Sequence, residues 1–397
     1  MSELDAPSLH DETAGIRIRI PNSQQREHAT GIYLTSSFEF DDAEHARALF
    51  ANEIPGNIYS RYSNPNTDEF VQRMCALEQT EDGIAVASGM SAIFTCFAAL
   101  LESGDQVLSS RSVFGSTHQV LTQILPKWGI HCHYADLDTF PDGWESVVTP
   151  STKLCYVETP SNPALDLIDL GALAQFCHSR GILLVVDNIF ATPILQKPAQ
   201  LGADLVIHSA TKYIDGQGRG IGGVILGKGE LIEKVRFFAR HTGPALSPFN
   251  AWMFSRSLET LALRMEKHCE QAATLADWLF EHEDVETLKY PHHASHPQYA
   301  LAKAQMKWGG GIVSFILKGG LDRGRRFLNQ LKMISHTANL GDVRTIATHP
   351  ASTTHSKLSE QERLAVGIQP GLIRISVGLE HIDDIIQDIC QALLASR

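Results

Sequence analysis

Short apolar runs recur through the middle of the chain, and segments with helical spacing lie between several of them. The runs cover residues 83–88, 106–110, 130–136, 153–159, 182–188, 204–209 and 222–227. Such runs, rich in β-branched residues and separated by helices, are typical of a mostly parallel sheet that is covered on both faces. The last run follows its predecessor through a glycine-rich loop, so it could be an antiparallel exception. The pattern predicts an α/β fold whose sheet is sandwiched by helices.

The 397 residues are too many for one small core, and the patterns along the chain differ between three parts. Residues 1–60 show little periodicity and predict an irregular N-terminal arm. Residues 61–255 carry the apolar runs and predict the main domain. A helical stretch at about 250–281 leads into residues 256–397, where further strands and helices predict a smaller C-terminal α/β domain.

Composition excludes several classes of partner. The 45 acidic residues outnumber the 33 basic ones, and this excess disfavours nucleic acid and anionic membranes as partners. No run of 18 apolar residues occurs and the first 25 residues contain no apolar stretch, so we expect no transmembrane helix, no signal peptide and a cytoplasmic location. The seven cysteines form no CxxC pair and the 18 histidines show no zinc spacing, which predicts neither disulfides nor a metal site.

Polar residues follow three of the apolar runs at the point where each run ends. Asp187 ends one run, Ser209 ends another with Thr211 and Lys212 directly after it, and a helix begins at Gly89 after a third. In an open parallel sheet, ligands bind beyond the carboxyl ends of the strands. Each residue alone has an ordinary structural interpretation, such as a turn, a helix cap or a solvated lysine. The occurrence of all these residues in this order at strand ends indicates a ligand site more specifically than any one of them does.

These residues suit one cofactor. The helix at Gly89 offers backbone N–H groups and the positive end of its dipole to a phosphate, and Ser209 and Thr211 offer hydroxyl groups. The amine of Lys212 can form an imine with an aldehyde. Asp187 can pair with a protonated pyridine nitrogen. The set predicts an enzyme of amino-acid metabolism that carries pyridoxal 5′-phosphate (PLP) on Lys212 as a Schiff base.

A resemblance to a known family supports this prediction. It is carried by YSRYSNPN (59–66), ASGMSA (87–92), ETPSNP (158–163), VVDNIFATP (185–193), HSATKY (208–213), ANLGD (338–342), HPASTTH (349–355) and RISVGLE (374–380). With these stretches the chain resembles the Cys/Met-metabolism branch of PLP-dependent enzymes, which has the aspartate-aminotransferase-type fold. The resemblance covers nearly the whole chain from about residue 30.

The resemblance implies a role for each matching residue. Lys212 would form the imine, Asp187 would hold the pyridine nitrogen, and Arg374 would bind the α-carboxylate of the substrate. The phosphate ligands would be Gly89, Met90, Ser209 and Thr211, and Asn162 would lie near the phenolic oxygen of the cofactor.

The resemblance also implies an oligomer. Tyr59 and Arg61 would reach the phosphate of a neighbouring subunit, so that the arm of residues 1–60 completes the partner's site. A turn at 64–66 can present Arg61 in this way. We therefore expect a homo-oligomer with shared active sites, and within this family a tetramer built as a dimer of dimers.

Three residues narrow the expected reaction. Phe114 stands where side-chain-eliminating relatives have a tyrosine that stacks on the cofactor, and Ser116 stands where methionine-cleaving relatives have a cysteine. With Asn339, these residues resemble sulfhydrylases that make homocysteine in methionine biosynthesis. The stretches KYIDGQGR (212–219) and HTGPALSPFNAW (241–252) are similar to enzymes that use O-succinylhomoserine with sulfide.

Several alternatives stay open from the sequence alone. Cystathionine γ-synthase would use cysteine in place of sulfide, and an O-acetylhomoserine sulfhydrylase would release acetate. Residues 218–223 contain a literal GxGxxG, which can mark a nucleotide-binding oxidoreductase when it opens a helix. Arg219 in this loop is either a solvated arginine or the cation that binds the distal carboxylate of a succinyl group.

Overall fold

The computed structural model of the protein describes residues 9–354, 356, 359–365 and 367–397. His355, the last residue of the HPASTTH motif, lies outside the described residues, as do the first eight residues of the predicted arm. Among the described residues, no helix combines the length and the apolar character needed to cross a membrane.

The strands are β1 (Asp82–Val86), β2 (Gln106–Ser110), β3 (His131–Ala135), β4 (Thr152–Glu158), β5 (Leu183–Asp187), β6 (Leu205–Ser209), β7 (Gly223–Gly227), β8 (Val285–Lys289), β9 (Ile312–Leu317), β10 (Ser335–His336), β11 (Ile346–Thr348) and β12 (Leu372–Ser376). The helices are α1 (Asp11–Arg17), α2 (Ala43–Phe50), α3 (Pro65–Glu78), α4 (Gly89–Leu100), α5 (Gly115–Gln119), α6 (Asp142–Glu145), α7 (Leu170–His178), α8 (Thr192–Leu195), α9 (Gly229–Thr242), α10 (Pro248–Leu258), α11 (Leu261–Phe280), α12 (Tyr299–Gln305), α13 (Gly320–Gln330), α14 (Glu360–Ala365) and α15 (Ile382–Ala395).

The first seven strands form one sheet in the order β1-β7-β6-β5-β4-β2-β3 within the described residues. Strands β3, β2, β4, β5 and β6 run parallel to one another. Strand β7 is antiparallel to both β1 and β6. The mostly parallel sheet and its antiparallel exception are therefore as predicted, and separate apolar clusters pack on its two faces.

The N-terminal segment is more regular than its sequence indicated. Helices α1 and α2 lie within residues 1–60, where the prediction of an irregular arm was wrong. Both helices are short, and α1 depends on tertiary contact because Arg73 donates a hydrogen bond of 2.6 Å to the carbonyl of Gly15. Isolated helices of this length are marginal in water, so little periodicity is needed to form them once they are docked.

The long helix predicted at about 250–281 is in fact two helices, α10 and α11. Glu259 and Thr260 separate them, and the backbone of Thr260 (φ −117°, ψ 8°) leaves the helical conformation. Arg264 of α11 is buried at this break and donates to the carbonyls of Tyr213, Ile214 and Ser257 at 2.6, 3.2 and 3.1 Å. The break therefore lets one guanidinium fix the chain directly after Lys212.

A second sheet forms the C-terminal part of the protein. Its order is β10-β11-β12-β9-β8, and an apolar cluster from α11, α13 and α15 packs against it. Strand β12 lies between β11 and β9 and is antiparallel to both. This sheet matches the smaller α/β domain expected from the sequence, whereas the boundaries at residues 60 and 255 stay predictions.

Gly223 allows β7 to approach the turn before α4. A Cβ atom at Gly223 would lie 2.3 Å from the carbonyl oxygen of Ser88, which is too close for any backbone contact. We predict that Gly223→Ala lowers the free energy of unfolding by about 1–3 kcal/mol, the usual cost of overpacking. Gly31→Ala is the matched control, because a Cβ atom there would meet nothing within 4 Å. Urea unfolding of both variants tests this, and equal stabilities would contradict it.

Candidate active site

Lys212 follows β6 and points its amine into a cavity at the carboxyl edge of the main sheet. Its Nζ atom donates a hydrogen bond of 2.7 Å to Oδ1 of Asn339, which lies in the loop after β10. Burial and, to a smaller extent, the nearby charge of Arg374 lower the pKa of the Lys212 amine to about 8. An amine with such a pKa is partly neutral near physiological pH, as a nucleophile or a proton carrier must be.

Asp187 ends β5 on the same edge of the sheet. Its carboxylate is buried and accepts hydrogen bonds from the amide of Ile189 at 3.0 Å and from the hydroxyl of Tyr156 at 3.1 Å. Burial raises the pKa of Asp187 to about 6, while the Ile189 amide and the charge of His208 act in the opposite direction. A cationic nitrogen opposite this carboxylate would favour its ionised form.

The N-terminus of α4 meets β6 at the same place. The side chain of Ser88 caps the helix by accepting from the amide of Ser91 at 3.0 Å. A Cβ atom at Gly89 would lie 2.7 Å from Cβ of Ser209, so only glycine lets the helix start come this close to β6. The first N–H groups of a helix lack intrahelical partners and suit an anion.

Arg374 on β12 brings a second cation to the cavity. Its guanidinium is buried and donates to Oδ1 of Asn162 at 2.9 Å and to the carbonyl of Asn339 at 3.2 Å. The Nε atom is buried without a hydrogen-bond partner in the described part of the chain. Burial lowers the pKa of Arg374 to about 10, which reflects the cost of this charge in a site with no carboxylate beside it. A bound carboxylate would offset that cost.

One cavity brings most of the predicted residues together. Its lining includes Gly89, Met90, Phe114, Asn162, Asp187, Ser209, Thr211, Lys212 and Arg374. Phe114 lies at the mouth and is 41% exposed, so one face of its ring is open to a planar ligand. Asn339 contributes through its contact with Lys212. Among the described residues, no cluster of three or more histidine, cysteine or acidic side chains could hold a metal ion.

Sequence comparison places this site in a known family. Residues 12–394 match the family model described as Cys/Met metabolism PLP-dependent enzyme. The chain belongs to this family of PLP-dependent enzymes. The fold class and the cofactor predicted from the sequence are thereby confirmed.

Individual relatives cover almost the whole chain. The protein is 48% identical to an O-succinylhomoserine sulfhydrylase of Pseudomonas aeruginosa, over 97% of this chain and 95% of that protein. It is 42% identical to an L-methionine gamma-lyase of Pseudomonas putida, over 92% of each chain. A crystal structure of an O-acetylhomoserine (thiol)-lyase from Campylobacter jejuni, which contains N′-pyridoxyl-lysine-5′-monophosphate, superposes with a TM-score of 0.93 at 34% identity. That likeness covers 97% of this chain and 100% of that one.

The geometry fits PLP. The cradle that a Cβ atom at Gly89 would fill is bordered by the hydroxyl of Ser209 and suits a phosphate. Asp187 lies where it could face a ring nitrogen, and the amine of Lys212 shares the cavity with both. The individual roles of these residues in this family member stay predictions.

Tyr59 and Arg61 lie apart from the cavity within one chain. They line a second, shallow depression together with Ser36, Ser247 and neighbouring residues. Arg61 donates to the carbonyl of Arg240, and its guanidinium lies 4.7 Å from the centre of the Tyr62 ring. Their predicted contact with a phosphate would therefore have to be made in another subunit.

The structure bears on two hypotheses about residues 218–223. Arg219 turns away from the lining of the cavity, since its side chain bonds to the buried carboxylate of Asp215 and to the hydroxyl of Ser257. In this conformation it is not available as the cation for a succinyl group. The glycines lead into β7 and not into a helix, so the nucleotide-binding interpretation of GxGxxG was wrong.

Glu158 is a cavity residue that the sequence analysis did not select. It ends β4, pairs in register with Asp187, and is buried. The amide of Phe114 donates to its Oε1 atom at 2.8 Å. A signal was present, because Glu158 lies at the carboxyl end of the apolar run 153–159 and so at the same sheet edge as Asp187.

We predict that the Lys212 amine titrates near pH 8 in the cofactor-free enzyme. Labelling by PLP, trapped with borohydride and located by mass spectrometry, should show a midpoint of about 8, whereas an ordinary lysine has a pKa of 10.5. Arg374→Met should move the midpoint upward because it removes the cation that adds to the effect of burial. Label on another lysine, or an alkaline midpoint in the wild type, would contradict this prediction.

Proposed function

We propose that this enzyme makes homocysteine from O-succinylhomoserine and sulfide by γ-replacement, a step of methionine biosynthesis. The observation that carries the proposal is the placement of Lys212 between Arg374 and Asp187 in one cavity, in a chain so similar to the Pseudomonas aeruginosa sulfhydrylase. In the reaction the bond from Cγ to the succinate oxygen breaks, and a bond from Cγ to sulfur forms. Succinate leaves with the electron pair of the broken bond.

Arg374 and Lys212 would act on different parts of the amino-acid substrate. The guanidinium of Arg374 would bind the α-carboxylate through paired hydrogen bonds, with Asn162 holding the guanidinium in place. This fixes Cα and Cβ within reach of the Lys212 amine, which would move protons at both carbons. PLP, when bound, supplies the electron sink that makes these protons acidic.

Asn339 gives the amine of Lys212 a second position. The contact of 2.7 Å between Nζ and Oδ1 lies on the C-terminal side of the cavity, close to the carbonyl that Arg374 also uses. Asn339 would hold the free amine of Lys212 here by accepting its hydrogen bond. This position would keep the amine near the substrate and not near the solvent.

Phe114 favours replacement over elimination. Phe114 lines the cavity, where its ring would stack on a planar ligand, but a phenyl group cannot transfer a proton to the leaving group or the nucleophile. Relatives that cleave side chains use a tyrosine at this position. Two alternative activities are cystathionine γ-synthase, which uses cysteine in place of sulfide, and O-acetylhomoserine sulfhydrylase, which releases acetate in place of succinate.

We predict that kcat/KM is largest for O-succinylhomoserine with sulfide, and that cysteine or O-acetylhomoserine gives lower values. Arg374→Lys should lower kcat/KM about ten- to more than a hundredfold with either acyl group, because each charge-assisted hydrogen bond contributes about 1.5–3 kcal/mol. The preference between acyl groups should not change, since both substrates have the same α-carboxylate. Steady-state assays of homocysteine and cystathionine formation test this, with Lys212→Ala as the inactive control. Faster turnover with cysteine would select cystathionine γ-synthase.

We also propose a homo-oligomer with shared active sites, a tetramer built as a dimer of dimers. The support is the position of Arg61, which lies outside its own cavity in the described chain yet belongs to a stretch that resembles a phosphate-binding motif. We further propose a cytoplasmic location, supported by seven cysteines that are all free thiols.

Mixed oligomers test the shared site. Inactive Arg61→Ala subunits mixed with inactive Lys212→Ala subunits should regain activity, because some sites then combine an intact Arg61 with an intact Lys212. The expected recovery approaches about a quarter of the wild-type sites if exchange is complete and unbiased. The variants mixed without exchange are the control. Mixed oligomers that form and stay inactive would contradict the proposal.

A further inference from the structure

Three buried groups form a chain along the carboxyl ends of β4 and β5. The hydroxyl of Tyr156 lies 3.2 Å from Oε1 of Glu158 and 3.1 Å from Oδ2 of Asp187. All three side chains are at least 94% buried, and the two acids are register partners on adjacent strands. Tyr156 is therefore the only described side chain that bridges the two acids.

The number of protons that these three side chains share is constrained. A hydroxyl group has one proton and can donate to only one of its two neighbours. If both acids were ionised, the other contact would place two oxygen lone pairs against each other, beside two like charges in a site with little water. Such a contact is costly in a buried environment. One of the two carboxyl groups must therefore carry a proton.

The surroundings favour Glu158 as the protonated acid. Asp187 accepts from the amide of Ile189 and lies close enough to His208 on β6 for that charge to favour its ionised form. The amide of Phe114 and Thr117 of α5 favour the ionised form of Glu158, but burial and the like charge of Asp187 oppose them and have the larger effect. Burial and Asp187 raise the pKa of Glu158 well above its usual range, whereas the pKa of Asp187 rises only to about 6.

We propose that Glu158 is a neutral carboxylic acid that donates to Tyr156, which in turn donates to Asp187. All hydrogen bonds in the chain then run in one direction and end on the carboxylate that faces the cavity. Glu158 acts as a positioning residue, because it keeps the single negative charge on Asp187. Its Oε1 atom would carry the proton that is donated to Tyr156, and a lone pair of the same oxygen accepts from the amide of Phe114. This inference concerns the protonation of Glu158, Tyr156 and Asp187, and it does not depend on which substrate the enzyme uses.

Infrared spectroscopy can detect the proton directly. Full-length enzyme labelled with ¹³C-glutamate should show an isotope-sensitive C=O band of a protonated carboxyl group at neutral pH. The band should be lost in Glu158→Gln and retained in Glu286→Gln, the control at an exposed position of β8. A wild-type spectrum without such a band, or a band that survives in Glu158→Gln, would overturn the proposal. Should Glu158→Gln not fold, Tyr156→Phe must shift the band, because it removes the acceptor of the Glu158 proton, and an unshifted band would also overturn the proposal.

The pH dependence of stability provides a readout that a merely structural role would not change. A protonated Glu158 costs stability as the pH rises above the pKa of the unfolded chain, since only the folded state keeps the proton. Glutamine carries no such cost. With excess cofactor, the ratio of the unfolding constants of wild type and Glu158→Gln should therefore rise about tenfold per pH unit between about pH 5.5 and 7.5. A ratio that does not change with pH would overturn the proposal. The proposal would also fail if the pH dependence of the unfolding constant were lost in Asp187→Asn and kept in Glu158→Gln.

Discussion

The parallel register of β4, β5 and β6 is the constraint on which the site depends. Because Glu158 pairs with Asp187 and Asp187 pairs with Ile207, the three strands end at one edge of the sheet. Residues that are far apart in the chain thus meet without any long loop having to place them. The antiparallel strand β7 then brings Gly223 against the turn before α4, so the helix N-terminus reaches the same edge. A shift of one residue in this register would turn Asp187 away from the cavity.

Sequence reasoning reached the residues that the main sheet positions, because a strand end can be recognised from one continuous apolar run. It did not reach contacts that depend on tertiary packing. Lys212 and Asn339 are 127 positions apart, and no local pattern predicts that their side chains meet. The sequence allows two interpretations of Arg219, and no local pattern predicts the ion pair that its side chain forms with the buried carboxylate of Asp215. Helix α1 was missed for the same reason, since it is held by tertiary contacts such as the hydrogen bond from Arg73 to the carbonyl of Gly15.

The C-terminal sheet contributes the part of the site that recognises an amino acid. Arg374 projects from β12, and the loop after β10 places Asn339 so that its carbonyl holds Arg374 while its side chain holds Lys212. One residue therefore links the amine of Lys212 to the guanidinium of Arg374. A displacement of this loop would change both distances together, so the proposed binding of the substrate carboxylate and the proposed proton transfer would both depend on Asn339.

The charges in the cavity are separated, and this separation orients what binds there. The Lys212 amine and the Arg374 guanidinium both contact Asn339 of the C-terminal part, whereas Asp187 ends β5 of the main sheet with a second acid, Glu158, beside it. A ligand pair with a carboxylate at one end and a cationic ring nitrogen at the other fits this field in one orientation only. The field requires one negative charge at the sheet edge and not two, because a second would compete with the substrate carboxylate for the cations. The hydroxyl of Tyr156 between the two acids meets that requirement only if one of them stays neutral.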